Sequence, residues 1–65
     1  MRNAFNKGFA YAEKYHKESL AKKSDAEIQS MINKYMREYR ENGDYYAAGM
    51  AGYYQEYLKR RKAAV

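Results

Sequence analysis

Only two stretches break the helical pattern of this chain, KKSDAE at 22–27 and ENGDY at 41–45, and none of its 65 residues is proline. Each break has the chemistry of a helix end. Ser24 followed three residues later by Glu27 has the form of a capping box, in which the hydroxyl and the carboxylate each satisfy a backbone N–H left open by the first turn. Asp25 and Glu27 also place negative charge at the positive end of the helix dipole. Gly43 suits the left-handed position that terminates a helix, and Asp44 suits the cap of the next. The spacing therefore predicts an all-α fold of three helices, about 3–22, 25–41 and 45–62, forming one domain over 1–65. The last two helices make an antiparallel hairpin, and the first packs across them.

Periodicity at 100° per residue assigns the faces. Phe5, Phe9, Ala12, His16 and Leu20 share a stripe on the first helix, with Gly8 and Ser19 beside it. Ile28, Met31, Ile32, Tyr35, Met36 and Tyr39 cluster on the second. The third helix is different, because Tyr46, Ala47, Met50, Tyr53, Tyr54, Tyr57 and Leu58 cover well over a third of its circumference. Ala48, Gly52, Gln55 and Lys59 lie opposite. So broad an apolar face predicts contact with more than one neighbour.

Across the second turn, Ile32, Tyr35, Met36, Tyr39, Gly43, Asp44, Tyr45 and Ala48 resemble the spacing of a tetratricopeptide hairpin. The resemblance implies two antiparallel helices packed through these positions. It ends after Ala48, since Gly52 and Gln55 stand where that family has an aromatic and a small residue, and no second repeat follows. It supports the hairpin and not membership of the family.

Composition limits the functions to weigh. A chain this short buries only about 60% of its unfolded surface, and chains of this size commonly gain stability from a disulfide, a metal or an oligomer. There is no Cys and one His, which removes disulfides and thiolate or imidazole-rich metal sites and agrees with a reducing compartment. Association, in the simplest case a homodimer, is the remaining source. No segment is apolar enough to span a membrane, and the charged N-terminal stretch lacks the apolar region of a secretory signal. The expectation is a cytoplasmic protein without cofactor. Its net charge of +5 permits an acidic protein or a nucleic acid as partner.

Catalysis has little to rest on. His16 lies within the apolar stripe with only Glu13 and Ser19 near it along the helix, and reads as a packed, hydrogen-bonded side chain ahead of an interface or pH-sensing role. No phosphate-binding glycine loop or nucleophile motif is present, and the GMAG glycines lie in a helical pattern, so the chain reads as no enzyme.

The charges mostly pair at i,i+4: Glu13 with Lys17, Glu18 with Lys22, Lys34 with Glu38, Arg37 with Glu41, Glu56 with Arg60. Arg2, Lys7, Lys14, Lys23, Arg40, Lys59, Arg61 and Lys62 are left over. Lys59, Arg60, Arg61 and Lys62 form the densest basic run, read either as a solvated helix end or as a contact for phosphate or an acidic partner.

Nine tyrosines are more hydroxyls than so small a core can partner, so several must lie at its boundary or at an interface. Tyr11, Tyr15, Tyr45 and Tyr53 flank the stripes and are the candidates for exposure and partner binding. Gly49 and Gly52 cost about 1 kcal/mol each inside a helix and mark a close approach of backbone, either by the first helix or by a second copy crossing at Ala48 and Gly52. The resulting expectation is a small helical protein that binds another protein through a tyrosine-rich face, as a phage or mobile-element inhibitor of a host enzyme would. Nucleic-acid binding through the basic end and exposed tyrosines is the alternative, and a structural or assembly role a further one. A membrane-surface helix is the weakest reading, because the basic residues gather at one end and do not line a polar face.

Overall fold

The computed structural model describes residues 2–64, with the side chain of Arg2, one of the surplus cations, outside the description. Among these residues the chain is all-helical, with four helices and no strand: α1 Arg2–Tyr15, α2 Lys17–Ala21, α3 Asp25–Asn42 and α4 Tyr45–Ala63.

The turns form by the local chemistry that the sequence carries. Glu27 N–H donates to the Ser24 hydroxyl at 3.1 Å and Ser24 N–H donates to Glu27 Oε1 at 2.9 Å, the reciprocal pair of a capping box. The Ser24 N–H bonded to the ionised carboxylate, and next the Ser24 hydroxyl, hold the Glu27 carboxyl below its usual range. Gly43 adopts φ 66°, a left-handed conformation open to glycine, and its N–H donates to Tyr39 O at 2.8 Å to close α3. Asp44 then caps α4 by accepting from Ala47 N–H at 3.0 Å. The short loop turns α4 back along α3, where the Tyr39 and Tyr45 rings meet edge to face at 5.3 Å. This is the hairpin that the tetratricopeptide-like spacing implies.

The first expected helix is two. The backbone bonds His16 N–H to Ala12 O and Leu20 N–H to His16 O span the junction, but His16 itself sits at φ −108°, ψ −6° between α1 and α2. Its Nδ1 is hydrogen-bonded to the hydroxyl of Tyr54 on α4. That long-range bond coincides with the break, and periodicity along α1 alone carries no sign of it.

α4 is the central element. It packs against α1 on one side and α3 on the other, while α1 and α3 meet each other marginally at most. The first helix thus rests on α4 and does not lie across both members of the hairpin. Ala47, Ala48, Gly49, Met50, Ala51, Tyr53, Tyr54 and Leu58 are all buried on α4, which is why its apolar residues fail to form a single stripe. Against them lie Ala12, Leu20, Ile28 and Ile32, with Phe9, Met31, Tyr35, Met36 and Tyr57 partly buried around the cluster.

The α1–α4 crossing is made by glycine on both sides. A Cβ on Gly8 would collide with the backbone carbonyl of Tyr46, and one on Gly49 with the backbone of Phe5 and Phe9. Either side chain would force the helices apart. The two helices run in the same direction, since Phe5 lies at Gly49, Phe9 at Tyr53 and Leu20 at Arg61.

Candidate interaction sites

Three features reach solvent around α4, and the residues singled out by sequence divide among them. The first is a tyrosine cluster. Tyr11 lies 4.8 Å from Tyr15 and 5.9 Å from Tyr46 between ring centroids, and its ring also meets that of His16 edge-on at 5.3 Å. Despite this mutual packing, Tyr11 is 42% and Tyr15 60% exposed, with Tyr46 at 36%. The ammonium of Lys14 sits 5.3 Å from the centre of the Tyr15 ring. Partial burial, followed by the neighbouring phenols of Tyr11 and Tyr15, raises the Tyr46 hydroxyl above its ordinary range. Periodicity alone assigns Tyr46 to packing, and only its tertiary pairing with Tyr11 places it in this cluster.

The second is an apolar groove of about 290 Å³ whose floor is Ala48 and Gly52 and whose walls are Phe5 from α1, Met36 and Tyr39 from α3, and Tyr45. Tyr45 and Gly52 therefore come together here. Gly49 does not, because α1 covers it within the same chain. The close approach at Gly49 is thus intramolecular, and a crossing by a second copy has only Ala48 and Gly52 left to use. Gly52 itself meets the Phe5 ring: a Cβ there would lie 3.1 Å from Phe5 Cζ.

The third is a recess of about 450 Å³ between α1–α2 and the C-terminal half of α4. Tyr53 lines it. Expected to face outward, Tyr53 is instead only 6% exposed, because the Phe9 ring packs on it edge to face at 5.5 Å. Burial first, then the charge of Glu13, raises the Tyr53 hydroxyl, with Arg60 acting the other way.

The basic run does not form one patch. Arg61 turns inward: its Nε and one terminal nitrogen donate to Asp25 Oδ1 at 3.1 and 2.9 Å, and it reaches Lys23 O at 2.8 Å and Leu20 O at 3.4 Å. It thereby occupies the carbonyls at the end of α2 and the first residue of α3, and lies over the Tyr57 ring at 5.4 Å. Arg61 is therefore paired with Asp25, whereas the i,i+4 pattern leaves it among the surplus cations. Arg60 points to the recess beside Glu56, 3.9 Å away, while Lys59 and Lys62 border a shallower groove with Gln29 and Gln55. One helical turn of cations necessarily points in all directions.

Of the expected i,i+4 ion pairs, Glu56–Arg60 forms; among the described residues the others do not. Exposed pairs of long side chains gain little over hydration, so their absence has no structural cost.

Tyr54 is fully buried, and its hydroxyl is partnered by His16 as noted above. Burial, reinforced by the phenol of Tyr35, holds it well above the usual phenol range. His16 is thus the hydrogen-bonded packing residue that its place on the apolar stripe predicts.

No family model, curated protein or solved structure matches the chain. No described helix is long and apolar enough to cross a membrane.

Proposed function

We propose that this is a small non-enzymatic helical protein that binds another protein through the face bearing Tyr11, Tyr15 and Tyr46, in the manner of an adaptor or an inhibitor that occludes a larger partner. The observation that carries the reading is the exposure of these three rings, with Tyr15 and Tyr46 both packed on Tyr11. Tyrosine presents a large rigid apolar area and a hydroxyl at small entropic cost, and it is enriched in interface centres. α1 and α2 act here as one bent arm of a three-helix unit, because the helical backbone bonds bridge His16. The cation over Tyr15 and the net charge of +5 favour an acidic partner surface.

The test compares partner capture by the wild type with that by the double variant Tyr11→Ser, Tyr15→Ser. Both side chains are exposed, so the fold should survive. Loss of the captured partner at unchanged helicity supports the reading, and equal capture removes it.

A second reading, self-association, is supported by the open groove over Ala48 and Gly52. Light scattering after gel filtration tests it. A dimer that Gly52→Leu converts to monomer would support it, and a wild type that is monomeric at micromolar concentration would end it.

A further inference from the structure

The recess between α1–α2 and α4 has a chemical asymmetry that the tyrosine face does not share. Because α1 and α4 run in the same direction, each brings an acid into the recess and then, four residues later, a base: Glu13 and Lys17 on one wall, Glu56 and Arg60 on the other. The carboxylates consequently lie toward one end and the cations toward the other. On the α4 wall Glu56 and Arg60 approach each other at 3.9 Å, and no ion pair among the described residues crosses the recess. Arg61 also lines the basic end but is paired with Asp25, which leaves Lys17 and Arg60 as the cations available there.

The floor carries the second observation. Tyr53 is more than nine-tenths buried, yet its hydroxyl makes no hydrogen bond among the described residues. No sealed side-chain oxygen or nitrogen there lacks a partner, so this hydroxyl must reach solvent, and the opening that Tyr53 lines is the recess. Glu13 and Arg60 line the recess with it and act on its titration in opposite senses. The ring is buried while the hydroxyl is open to the recess, which leaves it free to donate to or accept from a bound group. Phe9 and Tyr57 supply apolar surface beside it.

We infer that this recess is a binding site for a short zwitterionic peptide of dipeptide size with an aromatic side chain. Its ammonium lies at Glu13 and Glu56, its carboxylate at Lys17 and Arg60, its ring on Phe9 and Tyr57, and its amide on the Tyr53 hydroxyl. The lengths agree. Four residues of helix separate the two ends by about 6 Å, and two extended residues span about 7 Å. A recess of about 450 Å³ is within the usual range for small-ligand sites, roughly 300–1,000 Å³. The site lies on different residues from the tyrosine cluster and does not depend on it.

The experiment titrates the full chain, followed by NMR, with the dipeptide Ala-Phe and with its N-acetyl and C-terminal amide derivatives, each lacking one charge. Shifts should centre on Phe9, Tyr53 and Tyr57, with each capped form at least about tenfold weaker, as loss of a charge-assisted hydrogen bond predicts. Tyr53→Phe should weaken Ala-Phe severalfold without moving the melting temperature. Lys17→Glu, on an exposed side chain, should raise the affinity for the C-terminal amide relative to the acetylated peptide at least about tenfold over the ratio in the wild type. Equal affinity for the three peptides, shifts centred elsewhere, no shifts, or a Lys17→Glu variant with the wild-type ratio of amide to acetylated peptide would overturn the assignment.

Discussion

The two interfaces of α4 are built in opposite ways. Toward α3 it presents side chains, with Tyr54 and Leu58 among Ile28, Ile32 and Tyr35 in the arrangement of an ordinary core. Toward α1 it presents backbone, with Gly8 and Gly49 each placed against the main chain of the facing helix. The first interface takes its stability from buried apolar volume, and the second from close approach that lets the flanking Phe9 and Tyr53 rings meet. The consequence is a difference in tolerance. A side-chain interface loses stability in proportion to what is removed, whereas a backbone interface fails at any addition.

That contrast can be broken most severely at the crossing. Gly49→Leu should separate α1 from α4 at a cost of more than about 3 kcal/mol, since the neighbouring backbone cannot move aside as a side chain can. Circular dichroism should show a lowered and broadened melt, and retention of the wild-type midpoint would show that the crossing is looser than described. Ile28→Ala, on the α3 side, should cost about 3 kcal/mol through lost burial and a cavity, yet keep a single cooperative transition in urea. A biphasic transition would contradict it.

Tyr54→Phe tests the bond that joins both interfaces. Removing the hydroxyl leaves His16 without its partner and should cost about 1–2 kcal/mol at neutral pH. The same group sets a pH dependence. Its folded pKa is raised above the unfolded value of about 10, so the neutral phenol is favoured by folding. Its contribution is fully present below about pH 10 and is lost as pH rises toward the folded value. Urea melts of the wild type should therefore weaken progressively above about pH 10, and Tyr54→Phe should reduce that slope; parallel slopes would sink the assignment.

Smaller effects sharpen the comparison. Ser24→Ala should cost about 1 kcal/mol by removing the cap of α3. Gly52→Ala should change stability by less than about 1 kcal/mol, because the gain in helix propensity is offset by a small shift of the Phe5 ring. A large loss at Gly52 would mean that it too is locked by backbone.

Where stabilisation is local, the sequence was sufficient. Ser24 with Glu27, Gly43 and Asp44 act within a few residues of themselves, and each sits in the role that its chemistry implies. The breadth of the apolar face on α4 likewise signalled two neighbours. Helical phase gives an angle but not the identity of the facing element. Tyr53 lies at the edge of its stripe and is buried because Phe9 covers it. Arg61 belongs to a conspicuous basic run and is turned inward by a carboxylate 36 residues away in sequence. The interruption at His16 coincides with a bond to a hydroxyl 38 residues distant. Gly8 is visible beside the first stripe, but the carbonyl of Tyr46 that makes it necessary is not.

The glycine crossing also bears on how such a chain can change over generations. Three of its four glycines are fixed for backbone reasons, Gly8 and Gly49 by contact and Gly43 by its left-handed turn. None of these demands concerns what the protein recognises. Descendants could exchange every exposed tyrosine and lysine, and with them the choice of partner, while inheriting the same three positions unchanged. A saturating mutational screen scored only for folding should therefore be least permissive at residues without side chains, leaving specificity free to diverge on the outside of a crossing that is not.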